Sequence, residues 1–387
     1  MNHVLEIRFT AIDTLYFRGS RPHSAAGASA LQSEFPPSVA TFIGAVRTRL
    51  GDAIGLQWSE LREEKGEVYS QSNQTFAGLD AASLIGGSEN TGMLAFSEPF
   101  IVKQGKRLYS APAALLATQE GCLRLHLGEP VETDLGKVRL PELPAGVATA
   151  KPLEDTWLTH AGMQRFLNGK LPEKEDIVAL TDLTAFESRL GIGRNIMAAT
   201  VEAGLLYQTE HLRLKDDVSF AVKVSLPVKA ADVLTQSIEH HPLQRFGGEG
   251  RMVALSVESA DSPELSLLAP KAPNALVLIT DMLPDRVAGP VPLLGFVATR
   301  HQGIDCWEGE LHGIAVRIIS MASGKAIKRG GWDIRHNRPR SVQTFVPAGT
   351  CFYAEAINAA DSLCKLHGKQ IGRRTDSGYG TLVCAAI

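Results

Sequence analysis

A chain of 387 residues is long enough for two domains of ordinary size, and its 44% hydrophobic and 21% charged residues are typical of a folded protein rather than a disordered one. A formal net charge of −3 argues against a surface that is basic throughout. No apolar run approaches the length of a membrane span, the first residues lack the layout of a signal peptide, and the five cysteines are widely spaced with no C-x-x-C pair. We therefore expect a cytoplasmic protein without a membrane segment, a disulfide framework, a metal site or another cofactor.

The first predicted unit consists of a strand, a basic loop and a helix. Apolar and polar residues alternate over residues 5–11, which indicates a half-buried strand. Apolar residues then recur at helical spacing from Val39 to Leu50, with Ser38 as the predicted N-cap and Gly51 as the predicted stop.

The loop between this strand and this helix is unusually basic. Arg18, Arg21 and His23 follow Phe17 on backbone flanked by glycine, alanine and proline. A helix N-terminus offers free backbone N–H donors and the positive end of the helix dipole, both of which favour anions. We therefore predict that the loop and the start of the helix bind phosphate groups.

Strands predominate in the rest of the chain, and helices are few. The last predicted strand, residues 379–387, is apolar on both faces and is expected to be central in its sheet. Polar stretches punctuated by glycine or proline, near residues 52–90 and 141–180, are predicted insertions. The other predicted strands of the second half are residues 251–257, 275–280, 314–320 and 350–355.

The pattern indicates an α+β protein with two domains, each a sheet with helices on one face. A charged turn at residues 215–217 separates two apolar segments. Placing the boundary there gives an N-terminal domain of residues 1–215, which contains both insertions, and a C-terminal domain of residues 216–387.

Three glycine-rich motifs could bring backbone N–H groups close to an anion. Residues 245–251 read RFGGEGR, for which a tight hairpin is the alternative interpretation. Residues 372–380 read GRRTDSGYG and add two arginines and a tyrosine that could stack on a base, whereas a helix C-cap followed by a turn would explain them structurally. Residues 191–195 read GIGRN, and because Ile196 stands where a dinucleotide motif needs glycine, a glycine turn is the better interpretation.

A basic stretch lies in the second half of the chain. Residues 325–340 read KAIKRGGWDIRHNRPR, with six lysines and arginines against one aspartate, a local charge of +5. Such a patch on a mildly acidic protein fits an anionic partner docked on one face, although a solvated loop is the ordinary explanation for a single cluster.

The order of these pieces along the chain resembles the RAMP superfamily of CRISPR effector proteins. The relevant segments are DTLYFRGSRPH, FPPSVATFIGAVRT, GGEGR, VPAGTCFY and the terminal GRRTDSGYGTLV, which together cover nearly the whole chain. The pattern is most similar to subunit three of the type III-B Cmr complex. One departure is that Gly19 and Ser20 follow Arg18, where other members often carry Asp-Gly.

This resemblance implies a fold and a function. It implies two ferredoxin-like, RRM-related domains with long insertions. It also implies a non-catalytic, RNA-binding subunit in antiviral defence that holds the repeat-derived 5′ tag of the CRISPR RNA (crRNA). Its partners would be the large cyclase/polymerase-like subunit and the backbone RAMP subunits, and target RNA would be met only indirectly.

The residues expected to contact RNA combine loop and patch cations, helix-start hydroxyls, turn glycines and aromatic rings. They are Phe17, Arg18, Arg21, His23, Ser38, Thr41, Arg47, Arg194, Gly247, Gly248, Arg251, Lys325, Trp332, Arg335, Arg338, Arg340, Arg373, Arg374 and Tyr379.

A second hypothesis is a metal-independent endoribonuclease that processes crRNA, since related RAMP proteins do this. Such chemistry needs a base near the ribose 2′-hydroxyl and a cation on the developing charge. His23 with Arg21, or His336 with Arg335, could supply them, but the sequence offers no convincing third member. Incubation with repeat RNA in EDTA separates the two hypotheses.

Overall fold

The computed structural model describes residues 2–19, 30–64, 67–88, 90–118, 121–134, 136–147, 149–195, 200–260, 266–285, 291–333, 338–358 and 362–387. Within these ranges the chain is α+β, with many strands and few helices, as the sequence predicts. The α-helices described are α1 (Val39–Ala53), α2 (Ala81–Ile85), α3 (His160–Leu167) and α4 (Val228–His240). Short 3₁₀ helices span Trp58–Glu60, Lys174–Asp176, Leu180–Asp182, Leu363–Leu366 and Thr375–Ser377.

The contacts divide the chain into two compact units, each assembled from separate segments. Unit 1 comprises Met1–Gly105, Thr181–Pro263 and Lys328–Gln343. Unit 2 comprises Lys106–Leu180, Glu264–Ile327 and Thr344–Ile387.

Unit 1 is built on an antiparallel sheet covered by α1 and α4. Leu5, Ile7 and Phe9 alternate with more exposed residues along the first strand and are buried, because they form the side that packs on the helices. In spatial order the main strands are Leu243–Arg245, Met252–Ser259, Asn2–Ala11, Val218–Pro227 and Phe100–Lys103.

An aromatic cluster fills the space between the sheet and α1. The rings of Phe9 and Phe42 meet edge to face at 5.1 Å, and Phe246 packs against both at 4.8 and 5.0 Å. Phe220 joins them at 5.7 Å from Phe42. Contacts between aromatic rings stabilise this core in addition to the stabilisation that comes from burying their apolar surface.

A long hairpin extends from the same unit. Thr184–Asn195 pairs antiparallel with Thr200–Leu214, and the short strand Ala30–Gln32 pairs in parallel with residues 208–210 of the second arm. The remaining strands of unit 1 are Leu61–Glu64, Glu67–Ser70, Thr75–Phe76, Leu79–Asp80, Ala95–Phe96, Trp332–Asp333 and Arg338–Pro339.

Unit 2 is built on a second antiparallel sheet with a hydrophobic cluster on each face. In spatial order its strands are Val297–His301, Ile304–Leu311, Ile314–Ala322, Cys351–Ala356, Ala275–Leu278 and Leu382–Ala385. Further strands of this unit include Tyr109–Ser110, Leu115–Thr118, Gly121–Arg124, His126–Thr133, Gly136–Glu142, Lys151–Pro152, Thr156–Leu158 and Ile177–Ala179.

The last strand lies at the end of that order, so the prediction that it is central is wrong. Val383 packs with Phe166 and Leu167 of α3 on one face. On the other face, Leu382 packs in the same cluster as Leu366 of the 3₁₀ helix. The strand is therefore apolar on both faces because each face is covered, not because strands flank it on both sides.

The division into units differs from the predicted boundary at residues 215–217. Asn2–Ala11 pairs with Val218–Pro227 from Asn2 to Phe9, so segments on both sides of the charged turn belong to one sheet. The turn leads from the long hairpin into that sheet, and the local charge pattern of a turn does not distinguish this from a linker.

The segments predicted as insertions contribute to the cores. Within residues 52–90, Leu84 and Ile85 of α2 are fully buried. Within residues 141–180, Phe166 and Leu167 of α3 are fully buried in unit 2. None of the described helices is both long and apolar enough to cross a membrane.

Candidate functional site

Three arginines converge on Asp13 at the end of the first strand of unit 1. Arg213 Nη2 lies 3.0 Å from Asp13 Oδ1, and Arg251 Nη1 and Arg189 Nη2 lie 3.2 and 3.6 Å from Oδ2. Arg189 and Arg213 come from the two arms of the long hairpin, and Arg251 follows the glycine-rich turn. The three segments therefore meet at one carboxylate.

Glu187 is the second carboxylate of this group and pairs with Arg213 and, at 3.4 Å, with Arg189. The backbone N–H of Thr14 and then the Arg213 guanidinium hold the pKa of Asp13 below its usual value. Arg213, followed by Arg189, does the same for the pKa of Glu187. Both carboxylates are therefore ionised at neutral pH. We call Asp13, Glu187, Arg189, Arg213 and Arg251 the arginine cluster; three guanidiniums against two carboxylates give it a charge of +1.

The basic loop is closed at its base by backbone contacts. Arg18 forms an isolated bridge with Ser33, and the N–H of Glu34 donates to the carbonyl of Phe17 at 2.9 Å. Arg329, from the start of the basic stretch, pairs with Glu34 at 3.0 Å, and both side chains are largely buried. Part of the basic stretch therefore lies beside the base of the loop.

The glycine-rich turn packs against the same segment. The N–H of Gly248 donates to the carbonyl of Tyr16 at 2.8 Å. Gly247 has φ of +80°, and a Cβ there would overlap that carbonyl and lie 2.9 Å from the Phe17 ring. Close approach of two backbones thus explains Gly247, and at Gly248 a Cβ would lie 3.0 Å from the Tyr16 ring. Both fit the hairpin alternative and still leave Arg251 within the arginine cluster.

A buried histidine lies beneath the arginine cluster. The ring of His211 stacks on Tyr16 at 5.3 Å, and its Nδ1 is 3.2 Å from the hydroxyl of Thr14. Burial, and then the charges of Arg251 and Arg189, lower the pKa of His211. The imidazole is therefore neutral at neutral pH and acts as packing for the loop rather than as a cation.

Two of the aromatic residues predicted to contact RNA belong to the cores. Phe17 is 4% exposed and packs edge to face against Phe246 at 5.3 Å. Tyr379 is 5% exposed, and its ring lies 5.0 Å from that of Phe345 in unit 2. Both assignments as RNA contacts are corrected, because glycine-rich surroundings suggested exposure while the ring area favoured burial.

The structure gives Arg47 contacts within unit 1 and places the helix-start hydroxyls together. Arg47 donates to the carbonyls of Gly86 and Gly87 just past the end of α2, the second contact at 2.6 Å. Ser38 occupies the N-cap of α1 as predicted, but its hydroxyl lies 3.3 Å from that of Thr41 and makes no side-chain cap.

Several predicted contacts are placed only in part. Arg340 donates its N–H to Gly331 at 3.0 Å in the last segment of unit 1. Arg21, His23, Arg335 and His336 lie outside the described residues. For Arg194, Trp332 and Arg338 the structure describes the backbone, as members of the strands Thr184–Asn195, Trp332–Asp333 and Arg338–Pro339.

The remaining predicted contacts belong to unit 2. Lys325 is exposed and pairs with Glu154 at 3.1 Å. Arg373 is exposed, and Arg374 is half-buried in a left-handed conformation with φ of +58°. The predicted set is therefore divided between the units, and in unit 1 Gly247, Gly248 and Arg251 lie beside residues 13–18.

Sequence reasoning missed Arg189, Arg213, Tyr16 and His211. The signal was present, since Arg189 and Glu187 are two positions apart, as are Arg213 and His211, and period-two spacing places each pair on one face of a strand. In the part of the chain that the structure describes, no group of three or more His, Cys, Asp or Glu side chains is arranged to hold a metal ion.

A family model described as "CRISPR-associated protein (Cas_Cmr3)" matches residues 7–386, almost the entire chain. The protein is thus a CRISPR-associated protein of the RAMP type, as the order of its motifs predicted. More narrowly, the chain belongs to the Cas_Cmr3 family.

Two of the solved structures that this chain is similar to come from type III complexes. A chain of the type III-B Cmr-β complex bound to cognate target RNA and AMPPnP is 16% identical with a TM-score of 0.46, and the match covers 90% of this chain and 85% of that one. A chain of the Csm3–Csm4 subcomplex of a type III-A interference complex is 10% identical with a TM-score of 0.39, covering 92% and 94%. No curated protein is significantly similar in sequence.

Proposed function

We propose that this chain is a non-catalytic RNA-binding subunit of a type III-B Cmr effector complex. In this proposal it holds the repeat-derived 5′ tag of crRNA and contacts the large cyclase/polymerase-like subunit and the backbone RAMP subunits. Membership of the Cas_Cmr3 family supports a role in a type III effector. RNA binding and the tag are our inference.

The observation that carries the proposal is the arginine cluster beside the base of the basic loop. Arg189 and Arg213 have side chains 34% and 48% exposed, so their guanidiniums can reach a ligand without unfolding of the core. Arginine presents several N–H donors in a planar fork that suits phosphate oxygens. A carboxylate such as Asp13 can hold such side chains in place until an RNA phosphate competes for them.

The strand order supports a ferredoxin-like plan for both units. In unit 1 the chain runs strand, α1, strand, strand, α4, strand, and the strand Met252–Ser259 lies next to Asn2–Ala11, followed by Val218–Pro227 and Phe100–Lys103. That sequence of elements is the β-α-β-β-α-β pattern of RRM-related domains. In unit 2, Leu382–Ala385, Ala275–Leu278, Cys351–Ala356 and Ile314–Ala322 follow one another in the same arrangement.

Binding to tag RNA at several salt concentrations tests the RNA-binding role. For single strands the logarithm of the affinity falls with the logarithm of salt concentration with a slope of about 0.7 per neutralised phosphate. Arg189→Ala and Arg213→Ala should each weaken binding and lower that slope by up to this amount, with little change in melting temperature. Arg300→Ala is the matched control, because Arg300 is also an exposed arginine paired with a carboxylate, Asp305, but belongs to unit 2.

A purification from the native host and a cleavage assay test the other parts of the proposal. Purification from the native host should recover short crRNAs that share one 5′ end, together with the large subunit. An unchanged salt slope in both cluster variants would contradict phosphate binding by the cluster. Specific cleavage of repeat RNA in EDTA would contradict the non-catalytic role and favour the processing endoribonuclease.

A further inference from the structure

The long hairpin of unit 1 has one face that carries the arginine cluster and an aromatic ring. Directly opposed residues of an antiparallel pair lie on the same face, and every second residue of a strand returns to it. Ala185 opposes Arg213, Glu187 opposes His211, Arg189 opposes Thr209 and Gly191 opposes Tyr207. Tyr207 is therefore on the face of Arg189 and Arg213, one pair beyond Arg189.

Tyr207 lies across a glycine. A Cβ built at Gly191 would overlap the Tyr207 ring, closer than real Cβ atoms ever approach other atoms. The missing side chain of Gly191 thus allows the ring to rest on the backbone of the opposite strand. Tyr207 nonetheless remains 39% exposed, so part of this large ring faces water.

The register of the hairpin brings an arginine of the cluster near this ring. Arg189 is its diagonal neighbour, and diagonal Cα atoms in such a ladder are about 7–8 Å apart, within reach of long side chains. Tyr207, Arg18 and Glu249 all lie close enough to Tyr16 to affect its pKa, which burial raises. The ring therefore neighbours the arginine cluster on the hairpin and lies within electrostatic range of Tyr16, at the base of the basic loop.

We infer that Tyr207 is a stacking platform for an unpaired nucleobase of an RNA strand whose phosphates are bound by Arg189 and Arg213. The inference rests on the proposed function and extends it, by assigning base contact to a residue outside the glycine-rich motifs. Single-stranded RNA offers unstacked bases, and proteins bind such strands by combining cations for the backbone with aromatic rings for the bases. A tyrosine across a strand glycine can also simply stabilise the hairpin, and the experiment separates these roles.

The test measures binding of the full chain to single-stranded tag RNA that carries 2-aminopurine at successive positions. Stacking quenches 2-aminopurine, so the unaltered chain should quench one or two adjacent positions, and Tyr207→Ala should restore their fluorescence. Tyr207→Ala should weaken binding by about 5- to 100-fold, the range expected for one base–aromatic stack, with an unchanged salt slope. Tyr207→Phe should bind like the unaltered chain, because the ring remains.

Two further variants sharpen the comparison. Gly191→Ala should weaken binding by displacing the ring while leaving every arginine in place. Phe186→Ala removes an aromatic ring that is 44% exposed on the opposite face of the same hairpin, and it should leave binding unchanged. A lower melting temperature in Tyr207→Ala with normal affinity and quenching would overturn the inference in favour of hairpin stabilisation.

The outcomes also separate this inference from the proposed function. Binding that depends on Arg189 and Arg213 but not on Tyr207 would overturn the inference alone. Failure of the unaltered chain to bind the RNA would overturn both.

Discussion

Arg251 Nη1 donates to Asp13 Oδ2 at 3.2 Å and joins two positions that are 238 residues apart in the chain. The contact fixes the end of the glycine-rich turn against the end of the first strand, beside Arg189 and Arg213 of the hairpin. One exposed carboxylate thus gathers cations from three segments. Removing that carboxylate directly tests whether the arginine cluster serves to bind RNA.

Asp13→Asn should strengthen RNA binding at low salt and steepen its salt dependence. The substitution raises the charge of the arginine cluster from +1 to +2 and leaves its guanidiniums with fewer internal acceptors. Stability should change little, because the Asp13 side chain is 49% exposed and such ion pairs contribute about 0–1 kcal/mol. Asp305→Asn, which removes the partner of Arg300 in unit 2, is the control and should leave binding unchanged. Weaker binding by Asp13→Asn would show instead that the carboxylate must orient the arginines.

Arg18→Ala should affect RNA binding, whereas Arg47→Ala should affect stability. Arg18 is exposed at the base of the loop, so its loss should weaken RNA binding and lower the salt slope by up to about 0.7, with little effect on melting. Arg47 donates to two backbone carbonyls beyond α2, and hydrogen bonds to charged groups contribute about 1.5–3 kcal/mol each. Its loss should therefore lower the melting temperature and leave the slope unchanged. Equal effects of the two variants on the slope would contradict this distinction.

Two glycines of the turn should respond differently to alanine. Gly247 and Gly250 both have positive φ, +80° and +64°, so each substitution introduces backbone strain of about 1–2 kcal/mol. Only at Gly247 would the new Cβ also overlap the Tyr16 carbonyl and crowd Phe17, whereas at Gly250 it meets open space. Chemical denaturation should therefore find Gly247→Ala clearly less stable than Gly250→Ala. Equal losses would mean that the turn can move away from Tyr16 at no cost.

The local elements were predictable from the sequence because their signals are local. Alternation over residues 5–11 predicted the strand Asn2–Ala11, and helical spacing after Ser38 predicted α1 within a few residues. The α+β class followed from the same patterns. The division into segmented units could not be predicted in this way, because the pairing of Asn2–Ala11 with Val218–Pro227 joins distant parts of the chain. The sequence of neither segment shows which strand it pairs with.

The sequence indicated the segments that form the candidate site better than the individual residues that belong to it. The basic loop and glycine-rich turn were recognised as segments, and Arg251 lies in the arginine cluster. Phe17 was misassigned because burial of a loop aromatic depends on distant residues such as Phe246. Arg189 and Arg213 were missed because the residues beside them are set by the register of the hairpin, which cannot be read from the sequence alone.

The His211 imidazole should make the stability of unit 1 depend on pH between about 7 and 5. Burial, followed by the charges of Arg251 and Arg189, lowers its pKa in the folded protein, while an unfolded chain has the ordinary value of about 6.5. As pH falls through that value the unfolded chain takes up a proton that the folded chain does not accept until a lower pH. Protonation therefore favours unfolding, and stability declines as the solution is acidified.

His211→Phe separates this effect from other titrations. The variant keeps an aromatic ring against Tyr16 and cannot bind a proton, although it loses the contact with Thr14 and should be less stable at pH 7. Its melting temperature should fall less steeply between pH 7 and pH 5 than that of the unaltered chain. Asp13 and Glu187 affect the comparison little, because their folded pKa values are lowered and their contribution is lost mainly below about pH 5, at the acid end of this range. Parallel pH profiles for the two proteins would mean that His211 titrates normally and that the stack with Tyr16 opens in solution.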